Sequence, residues 1–206
     1  MHDRDAGAPD DHPLEAHGRL AGYDPTILPR DPSMAPLTPH RTASLLAASG
    51  KAIEAELSAL GDDLAHRRPG PDEWCATEVV GHVIEADRRG FGGRIARILE
   101  HDGVVERGWD QVAVARERGD ATRPVADVLV EFHAGRQDAL AIVRRIRPGD
   151  LRRHAVHDRV GVVTIADLLG EWVWHDRNHL RQLLLSAQAR VWPAMGNARR
   201  FVDPSA

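Results

Sequence analysis

Apolar residues recur at three- and four-residue intervals along most of the chain, a spacing that predicts helices with one buried face. Leu45, Leu46, Ile53, Leu57 and Leu60 mark a first helix over 42–60, with Gly61 as its stop. Val79, Val83, Ala86, Ile95 and Leu99 mark a second over 75–99. Gly90, Gly92 and Gly93 weaken its middle and predict a kink or a close helix crossing. Val125, Leu129, Phe132, Ala139, Val143 and Ile146 mark a third over 124–146, with Pro124 suited to its first turn and Pro148-Gly149 ending it. The fourth, over 164–189, opens on Thr164 with Asp167 three residues later, a capping box. Its inner face reads Leu168, Trp172, His175, His179, Gln182 and Ser186. Residues 101–124 form a long connection with room for a short helix over 109–118. Short β-like runs such as 160–164 are too few for a sheet. The expectation is an all-α four-helix bundle.

Composition refines this picture at the ends. Seven of the 13 prolines lie in the first 40 residues, which cannot keep a helix and are expected to form a flexible arm. The expected organisation is the arm over 1–40, the bundle over 41–192 and an irregular tail over 193–206. His2, His12, His17 and His40 belong to the arm and read as solvated. The net charge of −4, with arginine pairs set beside acids, gives no basic stripe for nucleic acid. No apolar run approaches the roughly 20 residues of a membrane helix, and the N-terminus lacks a secretory pattern. Cys75 is the single cysteine, so neither an internal disulfide nor a cysteine-based zinc site is expected. A cytoplasmic protein is the expectation.

The chemistry concentrates on the fourth helix, in Trp172-Val173-Trp174-His175-Asp176-Arg177-Asn178-His179-Leu180. Histidines at i and i+4 stand on one face, about 6 Å apart along the axis, and can converge on one cation. With Asp176 in the second position the run is not the HExxH of metalloproteases. A third ligand must come from another helix, and His82, on the stripe between Val79 and Ala86, is the best candidate. A lone inward histidine is usually a hydrogen-bonded core residue. Three of them on two inner stripes would each need a partner, which one shared metal would supply. Arg136 is a charge on the inner stripe of the third helix and needs a partner or a cavity. It is a candidate for binding an anionic substrate group. Glu78 and Glu85 flank His82 and could orient it or lie exposed. Trp172 and Trp174 read as packing residues, and Asp176 and Arg177 as the edge of the stripe. His133, His154 and His157 read as surface or loop residues, the last two able to rim a pocket.

Two stretches together resemble the signatures of the DinB-like superfamily. One is Arg68-Pro69-Gly70-Pro71-Asp72-Glu73-Trp74 followed by Glu78-Val79-Val80-Gly81-His82. The other is Gly161-Val162-Val163-Thr164-Ile165-Ala166-Asp167-Leu168-Leu169 running into His175-Asp176-Arg177-Asn178-His179-Leu180-Arg181-Gln182. Cys75 departs from the pattern, since Ser or Thr often follows the tryptophan. The resemblance, over about 42–190, implies a bundle with a non-standard connection order, a metal triad on His82, His175 and His179, and homodimers. Several members are similar to metal-dependent enzymes that use small thiols, such as bacillithiol or mycothiol transferases and mycothiol-dependent maleylpyruvate isomerases. Imidazole ligands suit zinc or nickel, and also iron or copper. The functional expectation is a metal-dependent enzyme that activates a low-molecular-weight thiol for transfer to an electrophile. A hydrolase using bound hydroxide and a non-catalytic metal-binding or dimerisation module are the alternatives.

Overall fold

The computed structural model describes residues 35–205. The chain enters α1 (Pro39–Ala65) through Thr38, whose hydroxyl accepts from the Arg41 N–H at 3.2 Å while Pro39 takes the first turn. Gly61 does not end this helix, as expected, but bends it. Its left-handed φ of 60° is open to glycine at no steric cost, and the helix resumes to Ala65. The second predicted helix is one element in direction but not in winding. It comprises α2 (Ala76–Glu85), a π-helical turn at Ala86–Gly92 and α3 (Gly93–Glu100). The weak glycine-rich middle is therefore a widened turn, of the kind often found at functional sites.

After α3 come β1 (Val104–Glu106) and α4 (Gln111–Arg118), the short helix expected in the long connection. Next is α5 (Val125–Arg145), then a hairpin of β2 (His154–His157) and β3 (Gly161–Thr164), then α6 (Ile165–Val191). The hairpin corrects the expectation of no sheet. β1 pairs parallel with β2, Val105 opposite Val156, and β2 pairs antiparallel with β3, Val156 opposite Val162. Strands of three or four residues are too short to show a period in sequence. The sheet stitches the two long connections together at one end of the bundle. The tail is more ordered than expected, with 3₁₀ turns over Trp192–Phe201. The proposed arm lies largely outside the described residues, but His40 falls inside α1.

α1 and α2 each pack chiefly against α5 and α6, so chain neighbours sit across the bundle rather than side by side. The apolar core is in two parts. Leu46, Phe91, Ala139, Leu168 and Trp172 belong to one, and Ile53, Ile84, Phe132 and Leu183 to the other. Between these levels every main helical element contributes a buried polar residue: Ser49, Asp87, Arg136 and Asp176. Arg136 donates from Nε to Asp87 at 2.9 Å, from Nη1 and Nη2 to Asp176 at 2.5 and 2.8 Å, and from Nη1 to the Leu46 carbonyl at 3.1 Å. Ser49 donates to Asp176, and Trp172 Nε1 donates to Asp87 at 2.7 Å. A polar layer of this kind is tolerated in a core because its groups are paired with one another.

Candidate metal centre

His82 comes from α2, and His175 and His179 from consecutive turns of α6. The structure brings all three together. The Nε2 atoms of His82 and His179 lie 3.0 and 3.2 Å from Nε2 of His175, and the three nitrogens fit within 4.8 Å of one another. Among the described residues this is the cluster of histidine, cysteine or carboxylate groups placed to hold an ion. Burial and mutual repulsion hold the imidazoles of His82 and His175 well below the ordinary histidine range. Burial depresses His179 to about 4, against the opposing pull of Gln182 and Asp176. All three are therefore neutral at pH 7, the form that carries a free lone pair.

The donor set meets the demands of a divalent cation. Nδ1 of His179 lies 2.5 Å from Oε1 of Gln182. The amide oxygen can only accept, so Nδ1 carries the proton and Nε2 presents its lone pair to the cluster. His175 is held differently, since its Nδ1 is buried with no hydrogen-bond partner. The two contacts at 3.0 and 3.2 Å share Nε2 of His175, which can donate to the bare Nε2 of His179 or accept from His82 but not both, so the three cannot satisfy one another. One cation would satisfy all three, and the residues fit it.

Aromatic rings wall the cluster. Phe91 meets His175 edge-on at 5.2 Å, Trp74 lies 5.1 Å from the His82 ring, and Trp109 stacks at 6.0 Å on its other side. Trp109 precedes α4, which is pinned to α2 by ions: Arg118 reaches Glu85 at 2.7 Å, Asp120 at 2.5 Å and Glu131 at 3.0 Å. Asp120 in turn presses on α2 at Gly81, where a Cβ would lie only 1.8 Å from its carboxylate. A cavity of about 360 Å³ opens from His82 and His175 toward the sheet, lined also by Phe91, Arg94, Trp109, His157 and Glu171.

The other expected residues distribute as follows. Arg136 is 3% exposed and its guanidinium is committed to Asp87, Asp176 and Leu46, so it is not offered to a substrate. An anion was expected where two internal carboxylates supply the charge. Asp176, expected at the edge of the stripe, is fully buried. Glu85 is buried among Arg88, Arg89 and Arg118, and Glu78 accepts from the Cys75 N–H at 2.9 Å and pairs with Arg68. His133 is exposed beside Glu54, and His154 pairs with Asp102, while His157 does rim the cavity. Sequence reasoning missed Arg94, Trp109 and Glu171, which nothing in their local patterns distinguishes. It placed Gln182 on the inner face of the fourth helix without assigning it a partner. Its position three residues after His179 could have suggested one.

Comparison with known proteins places the fold and the family. The structure matches YfiT from Bacillus subtilis, described as "a probable metal-dependent hydrolase with an unusual four-helix bundle topology", with a TM-score of 0.70. The two are 16% identical, and the match covers 80% of this chain and 94% of that one. In sequence the chain is 22% identical over 130 residues to "Putative metal-dependent hydrolase OB0782" of Oceanobacillus iheyensis, covering 63% of this chain and 73% of that protein. The DinB superfamily model matches residues 45–183, which span all four main helices and the three histidines, and the chain belongs to that superfamily.

Proposed function

We propose that the protein is a metal-dependent hydrolase of small molecules, its cation held by His82, His175 and His179. The observation that carries this reading is the convergence of three neutral imidazoles, His82 and His179 buried and His175 half-buried, beside a cavity of about 360 Å³ that His82 and His175 line. With neutral ligands, a divalent cation held there would keep its full charge and would supply Lewis acidity toward an electrophile in the cavity. The names given to the two relatives support hydrolysis rather than the thiol transfer expected from the sequence.

The chain's own residues have separable parts to play. Gln182 fixes the tautomer of His179. Phe91, Trp74 and Trp109 exclude water from the imidazoles. Glu171 stands at the cavity's exposed rim, where partial enclosure raises its carboxyl above the ordinary range while Arg94 and His157 oppose the rise. A carboxylate so placed can take a proton from the attacking water and return it to the leaving group.

The test has two arms. Metal analysis of the purified protein identifies the ion, and His82→Ala, His175→Ala and His179→Ala should each lower its content at least about tenfold while His133→Ala leaves it unchanged. Equal metal in all four variants would end the reading. A panel of esters and amides should then show turnover that Glu171→Gln lowers by about 10²–10⁴-fold without loss of metal. In the second arm the cobalt-loaded protein is titrated with small thiols. A sulfur-to-metal charge-transfer band with thiol-dependent turnover and no hydrolysis would replace hydrolysis by thiol transfer. The homodimer and the cytoplasmic setting belong to the same proposal, and light scattering of the full chain checks the first.

A further inference from the structure

We propose that the cavity beside the histidines selects substrates carrying a single carboxylate, and that Arg94 is the residue that recognises it. This rests on the hydrolase reading for the site's chemistry but not for its own evidence. Arg94 lies at the start of α3, just after the π-helical turn, and lines the cavity that contains His82 and His175. Its side chain is only 12% exposed. Yet its Nε is buried with no hydrogen-bond partner, and its nearest acid, Glu106 Oε2, is 3.6 Å away. A guanidinium withdrawn from water normally has its donors engaged, as Arg136 does in the same molecule.

Glu106 pairs with Arg94, but only as a shared partner. Arg97 already binds that carboxylate through both oxygens, at 2.5 and 2.7 Å. One negative charge thus faces two guanidiniums, and the surplus positive charge is the one on the cavity wall. Glu171, also on that wall, forms no ion pair within 4.0 Å of Arg94 among the described contacts and stands exposed at the rim. Its charge disfavours a dianion such as a phosphate monoester. With Arg94 and Arg159 set against Glu171, the lining carries one surplus positive charge, which is the balance a single carboxylate suits. Trp109 and Phe91 line the same cavity and lend its wall apolar surface for a body attached to that carboxylate.

The test is a fluorine NMR titration of the metal-loaded protein with 4-fluorobenzoate and its neutral counterpart, 4-fluorobenzamide. The benzoate is expected to bind about tenfold more tightly, the scale of one charge-assisted pair. Arg94→Gln should bind the two alike, and Arg94→Lys, which keeps the charge and loses the fork, should keep part of the preference. Thermal melts show whether each variant is folded, and the wild-type comparison stands without them. Chelating the metal should leave the wild-type preference in place. Equal binding of the two probes by the wild type overturns the proposal, as does a full preference in folded Arg94→Gln. Loss of the preference on chelation also overturns it, placing the carboxylate on the metal and leaving the hydrolase reading intact. A protein that binds no metal but keeps an Arg94-dependent preference would sustain the proposal and remove the hydrolase reading alone.

Discussion

His175 and Asp176 are consecutive residues of α6, yet they belong to opposite kinds of polar site. Asp176 closes a layer in which each carboxylate meets the guanidinium of Arg136 and each ring or hydroxyl donor has an acceptor. His175 enters a cluster whose nitrogens crowd one another, and its own Nδ1 is left without a partner. Both sites are buried and both draw on α2 or its π-helical extension together with α6. Burial of polar groups is therefore no mark of function by itself. The mark is polar capacity left unspent: lone pairs that converge without protons between them, as at the histidines, or a guanidinium with an idle donor, as at Arg94. The satisfied layer has its own use, because Asp176 sits between His175 and His179 on α6 and its bonds to Arg136 fix the rotation of that helix.

The sharpest way to break this contrast is to remove one member of each site in metal-free protein. Arg136→Met leaves Asp87 and Asp176 buried without their cation and should cost about 3–5 kcal/mol in urea unfolding, a large share of a typical domain's stability. His175→Ala removes a neutral ring that is already poorly satisfied and should cost much less. Equal losses would show that the histidines serve the core and that the two sites are of one kind.

Metal removal gives the next largest effect, with the roles reversed. A cation that binds only the folded chain stabilises it by about 2.7 kcal/mol when free ion is at 100 times its dissociation constant. Chelation should lower the wild-type thermal midpoint accordingly and leave His179→Ala unmoved. Ser49→Ala, which alters the satisfied layer without touching a ligand, should still respond to metal like the wild type. A Ser49→Ala protein that ignores metal would show that the two sites are one coupled unit.

How much of this was visible in the sequence follows the same division. The four helices were legible because each buries a stripe long enough to show its period, and the clustering of the three histidines was legible because two share a helix face and the third lies on a neighbouring stripe. The π-helical turn was visible only as a weakness at Gly90, Gly92 and Gly93, since the extra residue in the winding depends on what packs there. Arg136 was visible as an anomaly, but its meaning was not. Asp87 and Asp176 had to be brought from other helices before the charge could be seen as matched. Arg94 has the opposite history: on a short helix it resembles any surface arginine, and only the cavity and the prior claim of Arg97 on Glu106 set it apart.

The finest distinction between the two sites lies in the sign of their pH dependence. Burial, with Asp176 adding to it, raises Asp87 from 3.8 to about 7, although Arg136 and Trp172 pull the other way. Burial penalises the charged carboxylate, and the second carboxylate that shares the one guanidinium adds to this, so a proton on one of the pair is favoured. The folded chain then holds a proton that the unfolded chain has lost, and this contribution to stability is present below about 4 and disappears as the pH rises to about 7. The histidines act in the opposite sense. Burial pushes His179 down to about 4 in the folded chain, against 6.5 when unfolded, and holds His82 and His175 well below that ordinary value. Their contribution is present above 6.5 and is lost as the pH falls toward 4. Each proton is worth at most about 1.4 kcal/mol per pH unit. In metal-free wild type, three rising terms oppose one falling term between about pH 4 and 6.5, so stability should rise with pH, but less steeply than the histidines alone would require. Asp87→Asn removes the falling term and should steepen the rise, while His179→Gln should make it shallower. Urea midpoints taken across this window decide the matter, and identical slopes in Asp87→Asn and wild type would mean that the satisfied layer holds no proton, leaving the pH response entirely to the histidines.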